Sequence, residues 1–159
     1  TLSAEISFEE LEPILKNYPE SEVLIHGPLC GMITDFCLAR SLSGEEFDDC
    51  SISCLHGGQF LIDQHGQKYA VRTDYQCRNY LYFPHDLCLF PYLPELTFAG
   101  VRNVKIDIQH YDNKLGWQII QIYKQALQSL SKQEWKQLQN YNRLLKMFPQ
   151  GLTARPLFT

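Results

Sequence analysis

Glu22-Val23-Leu24-Ile25-His26-Gly27-Pro28-Leu29-Cys30 is the stretch from which the rest of the chain is read. An apolar run closed by Gly-Pro suits a buried strand, and its C-terminal end delivers the chain to a thiol. Before it, residues 2–6 read as the tail of another strand. Ser7-Phe8-Glu9-Glu10 then has the Ser-x-x-Glu form of a capping box, and Leu11, Ile14 and Leu15 supply the apolar stripe of a helix over about residues 8–17. After it, from Pro28 to Gly58, periodicity is poor. Glu45, Glu46, Asp48 and Asp49 interrupt any core-facing stripe, so this stretch is expected to be a loop organised by its own ligands.

Further along, residues 60–63 and 68–73 flank Gln64-His65-Gly66-Gln67, a four-residue hairpin turn with glycine where a positive φ is needed. Residues 86–99 carry Leu87, Leu89, Leu93, Leu96 and Phe98 and stop at Gly100, which predicts a helix closed by a left-handed glycine. Val104, Ile106 and Ile108 alternate as a strand. Leu115, Ile119, Ile122, Ala126 and Leu130 recur at helical spacing, and Ser131-Lys132-Gln133-Glu134 repeats the capping box to start a second helix through about Met147. The order strand, helix, strand, cysteine insert, helix, strand, helix, helix is an α/β pattern.

The 159 residues suffice for one domain, residues 1–159, with an insert over residues 28–83 that bears the cysteines. Hydrophobic residues make up 45% of the chain and charged ones 20%, an ordinary globular balance that excludes disorder. A net charge of -4 gives no overall pull on a polyanion, so a nucleic-acid partner needs a local basic patch. No apolar run approaches the length of a membrane span. The opening Thr1-Leu2-Ser3-Ala4-Glu5 lacks the basic start and apolar core of a signal peptide, and a cytoplasmic location is the expectation. Starting on Thr1 rather than an initiator Met, the chain is expected to be a fragment of a longer protein.

Cys30, Cys37, Cys50, Cys54 and Cys77 fall within 48 residues. Thiolates at such spacings can gather on a loop around iron or zinc, and this reading is favoured over buried free cysteines or disulfides. A 4Fe-4S cluster needs four sulfurs around a compact cube. Structural zinc, the alternative, prefers two tight Cys-x-x-Cys pairs and neither pair here has that gap, but spacing alone does not decide between iron-sulfur and zinc. Cys88 lies in an apolar pattern and reads as a core residue. A second chemistry pairs Cys30 or Cys37 with His26 as a peptidase nucleophile and base, against the plainer reading of His26 as a histidine hydrogen-bonded to a loop backbone. His-Glu-x-x-His, Gly-x-Ser-x-Gly and phosphate-cradling glycine loops are absent. A third reading is a zinc-stabilised, non-catalytic module that binds RNA through Lys124, Lys132, Lys136, Arg143 and Lys146.

His26-Gly27-Pro28-Leu29-Cys30, Cys37, Cys50-Ser51-Ile52-Ser53-Cys54, Asp86-Leu87-Cys88, Leu93-Pro94-Glu95-Leu96, Ala99-Gly100-Val101 and Val104-Lys105-Ile106 occur in an order that resembles the peptidase U32 (collagenase-like) family. The resemblance spans about residues 22–110, and Gly151-Leu152-Thr153 is similar to the family's segment after its last barrel helix. It implies the C-terminal part of a TIM-like barrel with a cysteine-rich insert and a small β-hairpin. The remaining barrel half, or a paired homologous subunit, is then an expected partner. It also implies an iron-sulfur protein serving oxygen-independent hydroxylation of RNA bases or of a quinone precursor, with prephenate as an oxygen source. By the same resemblance Cys30, Cys37 and Cys50 fall on cluster-ligand positions, and the fourth position falls on Cys54 or Cys77.

The sequence departs from the family in two places. After Val104-Lys105-Ile106 the family continues Glu-Gly-Arg, whereas this chain reads Asp107-Ile108-Gln109. Before the second cysteine the family often has Gly-Arg, and this chain has Asp35-Phe36. If those arginines grip an anion, Arg72, Arg78, Lys105 or Arg40 must take their place.

Overall fold

The computed structural model describes residues 1–43, 53–56, 58–131 and 137–158. In chain order its elements are α1 (Phe8–Asn17), β1 (Glu22–Gly27), β2 (Cys30–Thr34), α2 (Leu38–Ser43), β3 (Gln59–Ile62), β4 (Lys68–Thr73), β5 (Asn79–Tyr82), β6 (Asp86–Cys88), α3 (Leu93–Phe98), β7 (Asn103–Ile106), α4 (Asn113–Ser131), α5 (Gln137–Met147) and β8 (Leu152–Thr153). Short 3-10 turns cover Ser53–His56 and Phe90–Tyr92. The fold is mixed α/β. It divides into two units, one of Thr1–Pro28 with His85–Thr159 and the other of Leu29–Pro84.

The first unit is built on a sheet of order β7-β1-β6-β8. β1 runs parallel to β7, with Val23 opposite Val104, and antiparallel to β6, with His26 opposite Cys88. The parallel pair fits the expected α/β pattern, but among the described residues the strands do not close into a barrel. α1 forms where the capping box placed it: the Glu10 amide donates to Ser7 Oγ, and the Ser7 amide donates to Glu10 Oε2. Leu11, Ile25, Phe90, Leu93, Leu96, Ile119, Ile122 and Leu144 are fully or almost fully buried and make the core.

The second unit is a four-stranded antiparallel sheet of order β2-β5-β4-β3. The β3–β4 hairpin follows the sequence reading, with Gly66 at φ 79 and Asp63 Oδ1 accepting from the amides of His65 and Gln67. Alternate residues Asn79 and Leu81 of β5 and Val71 of β4 are buried, and the 3-10 turn at Ser53–His56 packs against β4.

Four sequence expectations are corrected. Residues 2–6 form no strand, although the Leu2 amide donates to the Glu22 carbonyl. Residues 28–58 hold a strand and a helix, not only loop. β2 escapes notice because it is an edge strand whose Cys30, Met32 and Ile33 are all exposed, so no alternation marks it. Residues 86–99 are not one helix. β6 pairs with β1 before Pro91 and Pro94 set the helix start, so α3 begins only at Leu93, and the leucines straddle two elements that are both buried. The small β-hairpin expected beside the insert is part of a larger sheet, because β5 and β2 join it. The capping box at Ser131–Glu134 falls largely outside the described residues. Among the described residues no helix is long and apolar enough to cross a membrane.

Candidate functional site

The cysteines separate by environment. In the second unit Cys30 is the first residue of β2, exposed, and its thiol donates to the Met32 carbonyl at 3.4 Å. Cys37 is half-buried one residue before α2. Cys77 is exposed and left-handed, with φ 62. It sits in the turn between β4 and β5, which Asp74 organises: Asp74 Oδ1 accepts from the amides of Gln76 and Arg78 at 2.8 and 3.0 Å, and Oδ2 accepts from the Tyr80 hydroxyl at 3.0 Å. Partial desolvation opposes ionisation of Asp74, but these hydrogen bonds and the Arg78 charge outweigh it and hold the carboxyl below its ordinary range.

Asn79, buried in β5, joins two of the cysteine-bearing segments. Its Nδ2 donates to the Phe36 carbonyl at 2.8 Å and to the Cys77 carbonyl at 3.4 Å, while its Oδ1 accepts from Thr73 Oγ1 at 2.8 Å. Cys37 and Cys77 therefore leave the sheet at the same end. Cys30 starts β2 at the other end, opposite Tyr82, whereas Thr34 lies opposite Asn79. Four strand residues separate the ends by about 13 Å. Cys54 is buried on the turn against β4, and Cys50 lies outside the described residues. Among the described residues no three His, Cys, Asp or Glu side chains gather closely enough to hold a metal ion.

The basic residues named from sequence are dispersed. Arg72 is exposed on β4, Arg78 pairs with Asp74 at 3.6 Å, and Lys105 is exposed on β7 in the first unit. Arg40 lies half-buried in α2. Lys124, Arg143 and Lys146 are exposed on α4 and α5, and Lys132 and Lys136 lie outside the described residues.

His26, fully buried in the first unit, bonds through Nδ1 to the Tyr123 hydroxyl at 3.2 Å, not to a loop backbone, and its Nε2 has no partner. Tyr123 also lies 3.5 Å from the Cys88 thiol and 3.3 Å from the Ile25 carbonyl. Burial pushes the His26 pKa down to about 4, so the ring is neutral. A base that must take a proton from a solvent-exposed thiol cannot be sealed in this way, which removes the ground for a Cys30–His26 nucleophile pair. Cys88 is a core residue as expected, though on a strand.

Sequence reasoning missed a polar group at the end of the first sheet. The Tyr111 hydroxyl donates to Asp86 at 2.8 Å. Burial raises the Asp86 carboxyl above its ordinary range, against the Tyr111 hydrogen bond and the charges of His110 and His85. Beside it, the Asp107 amide donates to the His26 carbonyl. Gly27, at φ 137, has no room for a Cβ, which would fall 2.6 Å from the Asp107 carbonyl oxygen. The Asp86-Leu87-Cys88 and His26-Gly27 motifs were visible in the sequence, but nothing marked Tyr111, a turn residue whose partner is 25 positions away.

The model of Peptidase family U32 matches residues 1–158. A protein of Methanocaldococcus jannaschii named only as an uncharacterized protease is 27% identical over 138 residues, covering 81% of this chain and 33% of that protein. The chain thus spans about a third of the length of this curated relative. No solved structure matches. Because the family match takes in both units and every cysteine, the chain belongs to peptidase family U32.

Proposed function

We propose that this chain is the cysteine-bearing, C-terminal part of a TIM-like barrel whose 4Fe-4S cluster supports oxygen-independent hydroxylation of an RNA base or a quinone precursor. The observation that carries the reading is the exposure of the thiols. Cys30 and Cys77 stand in solvent and Cys37 is half-open, all in one small unit where only Cys54 of the described cysteines is buried, whereas Cys88 in the other unit is buried like a structural cysteine. Exposed thiols with no packing role are an oxidation liability unless they serve as ligands or nucleophiles, and the sealing of His26 disfavours the second.

In donor chemistry the set fits iron and sulfide: soft thiolates, more than four in number, in a unit whose backbone ties two of them together. Cys30, Cys37 and Cys50 would hold the group with either Cys54 or Cys77, which requires the Cys30 end of β2 to close the distance of about 13 Å to the end where Cys37 and Cys77 leave the sheet, and when bound the group would supply one-electron transfer. The protein's own residues do the rest. Asn79 fixes the backbones at Cys37 and Cys77, and Asp74 keeps the Cys77 turn closed. Arg72 and Arg78 would supply positive charge for an anionic substrate in the second unit, Arg78 while paired with Asp74, and Lys105 would do so in the first.

Anaerobic purification followed by absorption spectroscopy and iron and sulfide assays tests this. About four irons and four sulfides per chain are expected. Cys30→Ser and Cys37→Ser should each lower both, and Cys54→Ser beside Cys77→Ser identifies the fourth ligand. A colourless protein with one zinc, or protease activity that survives chelation, would sink the proposal.

A further inference from the structure

The turn between β4 and β5 carries sulfur where the turn does not call for it. Cys77 is left-handed, with φ 62, a conformation that glycine or asparagine takes at less cost, and its thiol is exposed. The buried side chain of Asn79 ties it to a second thiol. Its Nδ2 donates to the Phe36 carbonyl at 2.8 Å and to the Cys77 carbonyl at 3.4 Å, while Thr73 Oγ1 donates to its Oδ1 at 2.8 Å and fixes the amide. One nitrogen thus holds both carbonyl oxygens. Each oxygen belongs to a peptide unit that includes a cysteine Cα, so this clamp draws the Cys37 and Cys77 backbones towards the separation of about 4.4–6.8 Å that a disulfide spans.

The other described thiols are placed elsewhere. Cys30 begins β2 at the opposite end of the sheet, about 13 Å away. Cys54 is buried on the turn against β4, and Cys88 is buried in the first unit. A cluster held by Cys30 together with Cys37 requires the first of these distances to close. A bond between Cys37 and Cys77 does not.

We infer that, when no cluster is bound, a hydroperoxide closes Cys37 and Cys77 into a disulfide, a reversible latch that governs loading of the cluster. The exposed Cys77 thiolate attacks one oxygen of hydrogen peroxide. The O–O bond breaks, the other oxygen takes up the thiol proton and leaves as water, and Cys77 becomes a sulfenic acid. The half-buried Cys37 thiol then attacks that sulfur, the S–O bond breaks, and the hydroxyl leaves as a second water with the Cys37 proton. The two thiols together lose two electrons and two protons, and the peroxide takes them up as two waters. Bridged sulfurs are spared further oxidation and cannot bind iron until a thiol reductant reopens them. The regulatory meaning of the latch rests on the cluster assignment proposed above, whereas the bond itself does not.

Mass spectrometry of the reduced, iron-free full chain after treatment with hydrogen peroxide tests the proposal. The expected product has lost the two thiol hydrogens, shows a Cys37–Cys77 cross-link in its digest, and takes up no iron until dithiothreitol is added. In Cys37→Ser the oxidised Cys77 has no resolving partner and should proceed to sulfinic acid. Asn79→Leu should slow the cross-link about tenfold, because the clamp that raises the effective concentration of one thiol at the other is gone. Thr73→Val leaves both Nδ2 bonds in place and should cross-link at the parent rate, and thermal unfolding checks that both variants are folded. Sulfinic acid at Cys77 of the parent with Cys37 still free, a cross-link through Cys30, Cys50 or Cys54, a cross-link between two chains, or a parent rate in folded Asn79→Leu would each overturn the proposal. Iron content of the reduced parent separates this proposal from the one it rests on. A Cys37–Cys77 bond in a chain that never takes up iron would leave the bond standing and remove the cluster, whereas a cluster without that bond would remove the latch alone.

Discussion

The two units treat the same kinds of residue in opposite ways. In the first, Cys88, His26, Tyr123 and Phe90 are all buried, and the sulfur, the imidazole and the rings form one packed cluster. In the second, Cys30 and Cys77 are exposed, together with Met32, Ile33, Phe36, Phe60, Ile62, Tyr75 and Phe83. Burial of apolar surface is what stabilises a domain, so this cluster serves the first unit's stability, although Tyr18, Phe98 and Trp117 of that unit are exposed. The second unit buries Cys54, Val71 and Leu81 but leaves most of its aromatic and sulfur side chains at the surface, where they contribute little to folding. With the function proposed above, the difference assigns stability mainly to the first unit and binding chemistry to the second.

The sharpest way to break that division is to damage the first unit's core and ask whether the second unit's chemistry suffers. Phe90 is fully buried, edge-on to Tyr123 at 5.2 Å and stacked with Tyr141 at 6.4 Å. Phe90→Ala should cost about 3–5 kcal/mol in urea unfolding through lost transfer energy and the cavity left behind. Under the cluster assignment proposed above, iron bound per folded chain should be unchanged. A fall in iron content at temperatures where the variant is folded would show that the two roles are not separable.

The converse test strikes the second unit at Asn79. Asn79→Leu keeps the forked side-chain shape, though in a bulkier residue, and leaves the Phe36 carbonyl and the Thr73 hydroxyl without their buried partner. The expected loss is about 1–3 kcal/mol. Iron content should fall as well, because Cys37 and Cys77 lose their common anchor. Thr73→Val removes only one of the three hydrogen bonds and should keep the iron. If Asn79→Leu loses stability yet assembles the cluster at the parent level, Asn79 is structural only.

How far this division can be read from sequence depends on whether a segment's burial alternates. α1, β1, the β3–β4 hairpin, β7 and α4 were all legible, since each carries a cap, a turn glycine or a clean apolar period. β2 and β5 were not. β2 is exposed along most of its length, and β5 has aromatic residues on the open face, so apolar character no longer reports which side is inside. The cysteines were legible as a group but not as a geometry. Cys37 and Cys77 are brought together by an amide at Asn79 whose role no spacing rule announces. Cys30 is kept at the far end of a strand that the sequence did not mark.

The buried imidazole gives the first unit a pH signature of its own. His26 has a folded pKa near 4 against an ordinary value of 6.5, so the unfolded chain binds the proton more readily. Stability is fully present above the ordinary value and is lost as pH falls from 6.5 towards 4, by about 2 kcal/mol between pH 7 and pH 5. Asp86 works in the opposite direction, since its raised carboxyl takes up a proton more readily when folded. His26→Phe separates the two. It keeps a ring in the cluster, and the Tyr123 hydroxyl retains the Ile25 carbonyl. Urea midpoints of this variant should fall less between pH 7 and pH 5 than those of the parent, and equal slopes would assign the acid sensitivity elsewhere.

The smallest effects give the finest comparison, because they can be matched across the units. Ser7→Ala removes the hydroxyl that accepts from the Glu10 amide in α1, worth about 1 kcal/mol for such a cap. Gly66→Ala forces a side chain into φ 79 at the hairpin turn, where a Cβ would meet no neighbouring atom, so only the backbone strain remains, about 1–2 kcal/mol. One substitution acts on each unit, with similar cost and no contact with any thiol. If the units unfold as one cooperative body, both variants lower the same transition by comparable amounts. If stability resides in the first unit and the second opens separately, Ser7→Ala shifts the main transition while Gly66→Ala leaves it in place. It would then accelerate hydrogen exchange only at amides of β3, β4 and β5.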